Sequence, residues 1–165
     1  MSNHQHIVRK AVLIILLLSV LLTVAFIFSN SLKSPEESEQ DSNLVEDLIA
    51  SIVSPESELG EFILEYLRKI AHFSEYGLLG IEIALIILLY LKRWWRYTLI
   101  SLPSAISLAV IDESLQYISE RGPEISDVWI DFGGFVFFSV ITYAVVIVAR
   151  IIIKRLKIKT EVSCG

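Results

Sequence analysis

The sequence predicts an all-α integral membrane protein, a four-helix bundle with a short amphipathic helix in its first outer loop. Three observations carry this. Mean hydropathy is +0.63 and 54% of the 165 residues are hydrophobic, too apolar for an ordinary soluble domain. Four apolar stretches are each long enough to cross a hydrocarbon core about 30 Å thick. Cations cluster at alternate ends of those stretches, as the positive-inside rule requires of a multi-pass chain.

Taken in order, residues 1–10 form a cytosolic N-terminus ending in Arg9 and Lys10. Residues 11–29 are an unbroken apolar first span. Its apolar region of about 18 residues is long for a signal peptide and suits an uncleaved anchor. Residues 30–67 make a long acidic connection on the outer side. Leu44, Val45, Leu48, Ile49, Ile52 and Val53 recur there at helical spacing, with Asn43 as N-cap and Glu46 three residues on. They read as an amphipathic helix lying on the membrane or on the bundle, a packed lid or a gate. Ser54-Pro55-Glu56 looks like a second helix start, running on into the next span.

Residues 68–153 form the core, with spans at about 70–91, 97–116 and 128–149. Lys92, Arg93, Trp94, Trp95 and Arg96 suit the headgroup layer between the first two of these. Pro103 predicts a kink in the middle one. A short turn, SERGPEIS, holds Arg121, Gly122 and Pro123. Residues 154–165 are a basic cytosolic tail. The chain is thus expected in the plasma (inner) membrane with both termini cytosolic, and the acidic connection and the Arg121 turn outside.

Polar residues stand where an apolar side chain would be cheaper. RKIAHFSEYGLLG, opening the second span, carries Arg68, Lys69, His72, Glu75 and Tyr76, four of them within one helical arc. The third span ends in Asp112, Glu113 and Gln116, and the fourth opens with Asp127 and Asp131, then Gly133-Gly134. Counting 1.5 Å per residue from the cytosolic cations puts His72, Gln116 and Asp131 about 28–30 Å away, and Glu75 and Asp112 about 25 Å. Three helices therefore deliver polar groups to one layer at the outer boundary of the membrane, where ionisable residues normally face inward toward partners. Arg68 and Arg121 are natural forks for the carboxylates, or one acid keeps its proton. Gly134 would admit a helix or a ligand close to the backbone. Glu82 lies near mid-membrane, either protonated or hydrogen-bonded to Ser104, Ser107 or Thr142, and is a candidate proton relay.

These four motifs, RKIAHFSEYGLLG, DESLQ, Arg121 and DVWIDFGG, resemble the VanZ-like family in order and spacing over residues 68–138. Lys69, His72, Glu75, Tyr76, Asp112, Glu113, Gln116, Arg121, Asp127 and Gly134 match its pattern. Asp131 stands where many members carry Asn. The resemblance implies a small multi-pass membrane protein, some relatives being linked to glycopeptide (teicoplanin) resistance, and it implies no particular reaction.

Three functions compete. A non-enzymatic envelope protein would bind a lipid headgroup or cell-wall precursor in the outer pocket, with Arg68, Lys69 and Arg121 on phosphate. An enzyme acting on a lipid-linked phosphate or amide would use His72 as base or metal ligand, with Glu75, Asp112 and Asp127 completing a divalent site. A proton-coupled transporter would use Glu82. No nucleophile elbow, zinc helix or phosphatase signature is present, so the non-enzymatic reading leads and no cofactor is expected, a divalent ion being the exception. The net charge of −5, without a basic stripe interleaved with aromatics, does not suggest a nucleic-acid partner, and none is expected. The lone Cys164 makes no internal disulfide or zinc pair. Membrane lipids are the expected partners, and a clamp holding the helices together is the structural alternative to a pocket.

Overall fold

The computed structural model describes residues 3–54, 57–91 and 93–163, with side chains from His4 to Leu156. Pro55, Glu56, Lys92 and Cys164, and the side chains of Lys157 and Lys159, lie outside the described residues. Every element is helical: α1 (Asn3–Ser31), α2 (Pro35–Ile52), α3 (Glu58–Glu65), α4 (Leu67–Tyr90), α5 (Trp94–Ile118) and α6 (Ile125–Ser163). Four helices are long and apolar enough to cross a membrane, over His4–Ser31, Leu67–Tyr90, Trp94–Ile118 and Ile125–Leu156. Their outward faces expose Ile14, Leu18, Leu22, Leu99, Val140 and Val145, side chains that suit acyl chains.

The four long helices pack around a small apolar core of Ile27, Tyr76, Leu79, Ala105, Ala109 and Phe135. The most intimate pair is α4 with α6. Small residues make that approach possible. A Cβ on Gly80 would strike the carbonyl oxygen of Phe135, and one on Gly134 would strike that of Phe73. Polar residues outnumber apolar ones among the described buried side chains. In lipid, where apolar burial gains little, such groups hold helices together.

Both ends of the bundle are tied by side chains. At one end Arg9 donates to the Leu89 carbonyl (3.1 Å), Tyr90 to that of Arg9 (3.0 Å), and Arg150 to that of Leu88 (2.6 Å). Arg93, Arg96, Lys154 and Arg155 belong to the same end. The opposite end gathers the C-termini of α1 and α5 and the N-termini of α4 and α6.

Several boundaries differ from those the sequence suggested. The amphipathic helix begins at Pro35, eight residues before Asn43. Ser34 caps it, its hydroxyl accepting from the Glu37 N–H while the Glu37 carboxylate accepts from the Ser34 N–H. Pro at the first helical position and two acids in the first turn reinforce that start, and they outweigh the weaker signal at Asn43. The next helix begins after Ser57, whose hydroxyl accepts from the Gly60 N–H (3.0 Å). It does not run unbroken into α4, because Tyr66 leaves helical geometry (φ −105°, ψ 13°) between them. α5 continues through Pro103, and α6 carries the basic tail onward as helix.

Candidate functional site

The polar residues meet because of how the helices end. α5 closes in a Schellman turn: Glu120 takes φ 59°, the Arg121 N–H reaches the Gln116 carbonyl (3.0 Å) and the Glu120 N–H that of Tyr117 (3.4 Å). The turn brings Arg121 back over α1, where its Nη1 donates to the Asn30 carbonyl (3.0 Å). The Glu124 N–H beyond the turn donates to Glu113 Oε2 (2.9 Å), tying the loop to α5.

At the centre, His72 Nδ1 lies 3.1 Å from Asp131 Oδ1 and 4.0 Å from Asp112 Oδ2. The other Asp112 oxygen accepts from the Ser31 hydroxyl. Gln116 links two charged groups. Its Oε1 accepts from Arg68 Nη2 (2.6 Å), and its Nε2 donates to Glu113 Oε1 (2.8 Å). Arg68 also pairs with Asp127 Oδ2 (3.3 Å). Asp112, Asp131 and Gln116 are fully buried, and His72 and Glu113 nearly so. Tyr76 Oη, Asp112 Oδ2 and Asp131 Oδ2 are buried with no hydrogen-bond partner among the described residues.

Above this cluster lies a cavity of about 470 Å³ between α1 and α4, covered by α2. Lys33, Arg68, Arg121, His72 and Glu75 give it a charged floor and rim, and Phe26, Leu44, Val45 and Leu67 an apolar wall. Glu75 accepts from Asn30 Nδ2 (2.9 Å). Lys33 donates to Asn30 Oδ1 (2.9 Å) and pairs with Asp41 of α2 at 2.5 Å. Burial, and then the repulsion of Arg68, lower the pKa of Arg121 from the ordinary arginine value. An anion between the two guanidiniums would relieve that repulsion.

Of the residues singled out from sequence, Arg68, His72, Glu75, Asp112, Glu113, Gln116, Asp127 and Asp131 are brought together, and Tyr76 is buried within α4 among them. Three placements need correction, and Gly134 takes one of its two expected forms. Lys69 is exposed and lies 5.9 Å over the Tyr66 ring, away from the cluster. Gly134 packs against the Phe73 carbonyl of α4, so of the two approaches expected of it the structure has the helix. Among the described residues Arg121 forms no ion pair. It satisfies a carbonyl at the end of α1, where helix geometry leaves acceptors unpaired. A metal set of His72, Glu75, Asp112 and Asp127 does not assemble, because Asn30 holds Glu75 and Arg68 holds Asp127. The compact set is His72, Asp112, Glu113 and Asp131.

The largest omission is α1. Glu82 bonds neither Ser104, Ser107 nor Thr142, whose hydroxyls donate to their own helix backbones. Its Oε1 accepts instead from Ser19 (2.5 Å) and Thr23 (3.1 Å) of α1. Ser19, Thr23, Asn30 and Ser31 share one face of a helix that is mostly apolar beyond Lys10, and that stripe was the available signal.

Comparison with curated proteins and with solved structures finds no significant match. A family model described as VanZ/LLP1 matches residues 5–150, taking in α1 and the acidic connection as well as the three later spans. The chain therefore belongs to the VanZ/LLP1 family, as a VanZ-like membrane protein.

Proposed function

We propose that this protein binds the anionic headgroup of a lipid or lipid-linked cell-wall precursor at the outer face of the plasma membrane. By holding it, the protein alters what the envelope surface displays, and with it susceptibility to glycopeptides. The observation that carries the reading is the cavity under α2, where Lys33, Arg68 and Arg121 stand beside an apolar wall. Cations for a phosphate and a greasy flank for an acyl or prenyl chain are what such a ligand requires. The cation-rich opposite end supports the orientation, with both termini cytosolic.

The test is native mass spectrometry of the full chain with phosphatidylglycerol, a polyprenyl phosphate and neutral phosphatidylcholine. The anionic lipids are expected to bind at least about tenfold more tightly, and the doubly substituted Lys33→Gln, Arg68→Gln chain to lose that preference. Equal binding of neutral and anionic lipid would overturn the reading.

A second reading, an enzyme acting on a lipid-linked phosphate or amide, draws support from His72, which lines the cavity and also touches Asp131. Hydrolysis of the polyprenyl phosphate during the same incubation would establish it.

A further inference from the structure

Below the cavity floor, four side chains from three helices converge without enough positive charge to match them. His72 of α4, Asp112 and Glu113 of α5 and Asp131 of α6 each offer a ligand atom, and these atoms all lie within 4.8 Å of one another. We propose that this set holds one divalent transition-metal ion, Zn²⁺ or Mn²⁺, between α4, α5 and α6. The site shares only His72 with the cavity lining and does not depend on the headgroup reading, since Lys33, Arg68 and Arg121 are not among its ligands.

Geometry is the first argument. Ligands about 2.0–2.2 Å from a shared ion stand roughly 3 Å apart when adjacent and about 4.2 Å apart when opposite. His72 Nδ1 is 3.1 Å from Asp131 Oδ1 and 4.0 Å from Asp112 Oδ2, within those two separations. Burial is the second. All four residues are at least nine-tenths buried, and Asp112 Oδ2 and Asp131 Oδ2 have no hydrogen-bond partner among the described residues. A carboxylate oxygen left bare in such surroundings is strongly disfavoured, because burial strips its water without supplying a donor or a cation. One cation, held by Asp112 Oδ2 and by both oxygens of Asp131 and replacing the hydrogen bond between His72 Nδ1 and Asp131 Oδ1, would satisfy both.

The supporting contacts are those a metal site needs. The Ser31 hydroxyl holds the far oxygen of Asp112, which leaves Oδ2 as that residue's unpartnered oxygen. Gln116 Nε2 and the Glu124 N–H each bind one oxygen of Glu113, and each oxygen keeps a second lone pair. Arg68, the nearest permanent cation on α4, is engaged by Asp127 and Gln116. The donor set chooses the ion. An imidazole with three carboxylates favours Zn²⁺ or Mn²⁺ over Ca²⁺ or Mg²⁺, which prefer oxygen alone, and the absence of thiolate disfavours Cu⁺.

The experiment measures metal per chain on full-length protein purified in detergent from cells supplied with Zn²⁺ and Mn²⁺. About one ion per chain is expected, lost to a chelator and regained from either salt alone. Asp112→Asn with Asp131→Asn preserves shape and should fall to about a tenth of that loading with helicity unchanged. Lys33→Gln alone, whose contacts are with Asn30 and Asp41 only, should weaken the headgroup preference and keep the metal in full, so loss of headgroup preference and loss of metal are read separately. Should the Asn pair fail to accumulate, the wild-type melting temperature decides, with a rise of several degrees expected on adding Zn²⁺ or Mn²⁺ after chelation. Wild-type protein with no bound ion and no melting shift at saturating Zn²⁺ and Mn²⁺ would overturn the proposal. So would an Asn pair that loads as much metal as wild type.

Discussion

Tyr76 shows how one side chain divides between packing and polarity. Its ring is fully buried in the apolar core, yet its hydroxyl reaches no acceptor among the described residues. The ring and not the hydroxyl is therefore the part that holds α4 in place. Tyr76→Phe is expected to change stability by no more than about 1 kcal/mol, whereas Tyr76→Ala should cost about 3–5 kcal/mol through the cavity it leaves. Thermal unfolding in detergent measures both, and a Phe variant as damaged as the Ala variant would contradict this division. His72, Asp112 and Asp131 were legible in the sequence because a charge inside an apolar run needs an explanation. Ser31 was not, since a serine at the end of a span needs none until its acid partner is known.

Helix ends decide where the functional groups meet. The Schellman turn after α5 places a glutamate, Glu120, in the left-handed region that glycine occupies at little cost. Glu120→Gly is expected to stabilise the protein by about 1 kcal/mol without moving Arg121, because the penalty for a Cβ there is about 1–2 kcal/mol. A raised melting temperature with unaltered lipid binding would bear this out; a lower one would show that the Glu120 side chain has a role of its own. The start of α2 was misplaced from sequence for a related reason. Two cap signals compete, Ser34 with Pro35 and Glu37, and Asn43 with Glu46, and the hydrophobic periodicity alone favours the later one. Capping chemistry favours the earlier. The extra turns cover the cavity with Ser38, Asp41 and Ser42, so this boundary determines the site's lining.

At the scale of the whole molecule, the spans, the alternation of cations and the polar layer were visible without coordinates, since each follows from hydropathy and counting. The partnership of α1 was not. An unbroken apolar segment reads as an anchor, and hydropathy is blind to the stripe formed by Ser19, Thr23, Asn30 and Ser31. That stripe makes α1 part of the site: it holds Glu82, Glu75 and Asp112 from one side, while α6 supplies Asp131 from the other. A chain ending after α5 lacks Asp131 and Asp127, leaving Arg68 without its acid and His72 with only the more distant Asp112 in a lipid setting. Pulse-chase labelling is expected to show such a chain degraded several times faster than the full-length protein, in line with the cost of unpaired buried charge. Equal half-lives would mean that α1, α4 and α5 suffice.

The hydroxyl face of α1 has a further consequence during synthesis. The ribosome delivers α1 before α4, and when α4 emerges with a carboxyl group within its span, Ser19 and Thr23 already stand in the bilayer to receive Glu82. The earlier segment thus serves as a host for the later, more hydrophilic one. Its departure from the insertion machinery must be slow enough for the two to meet.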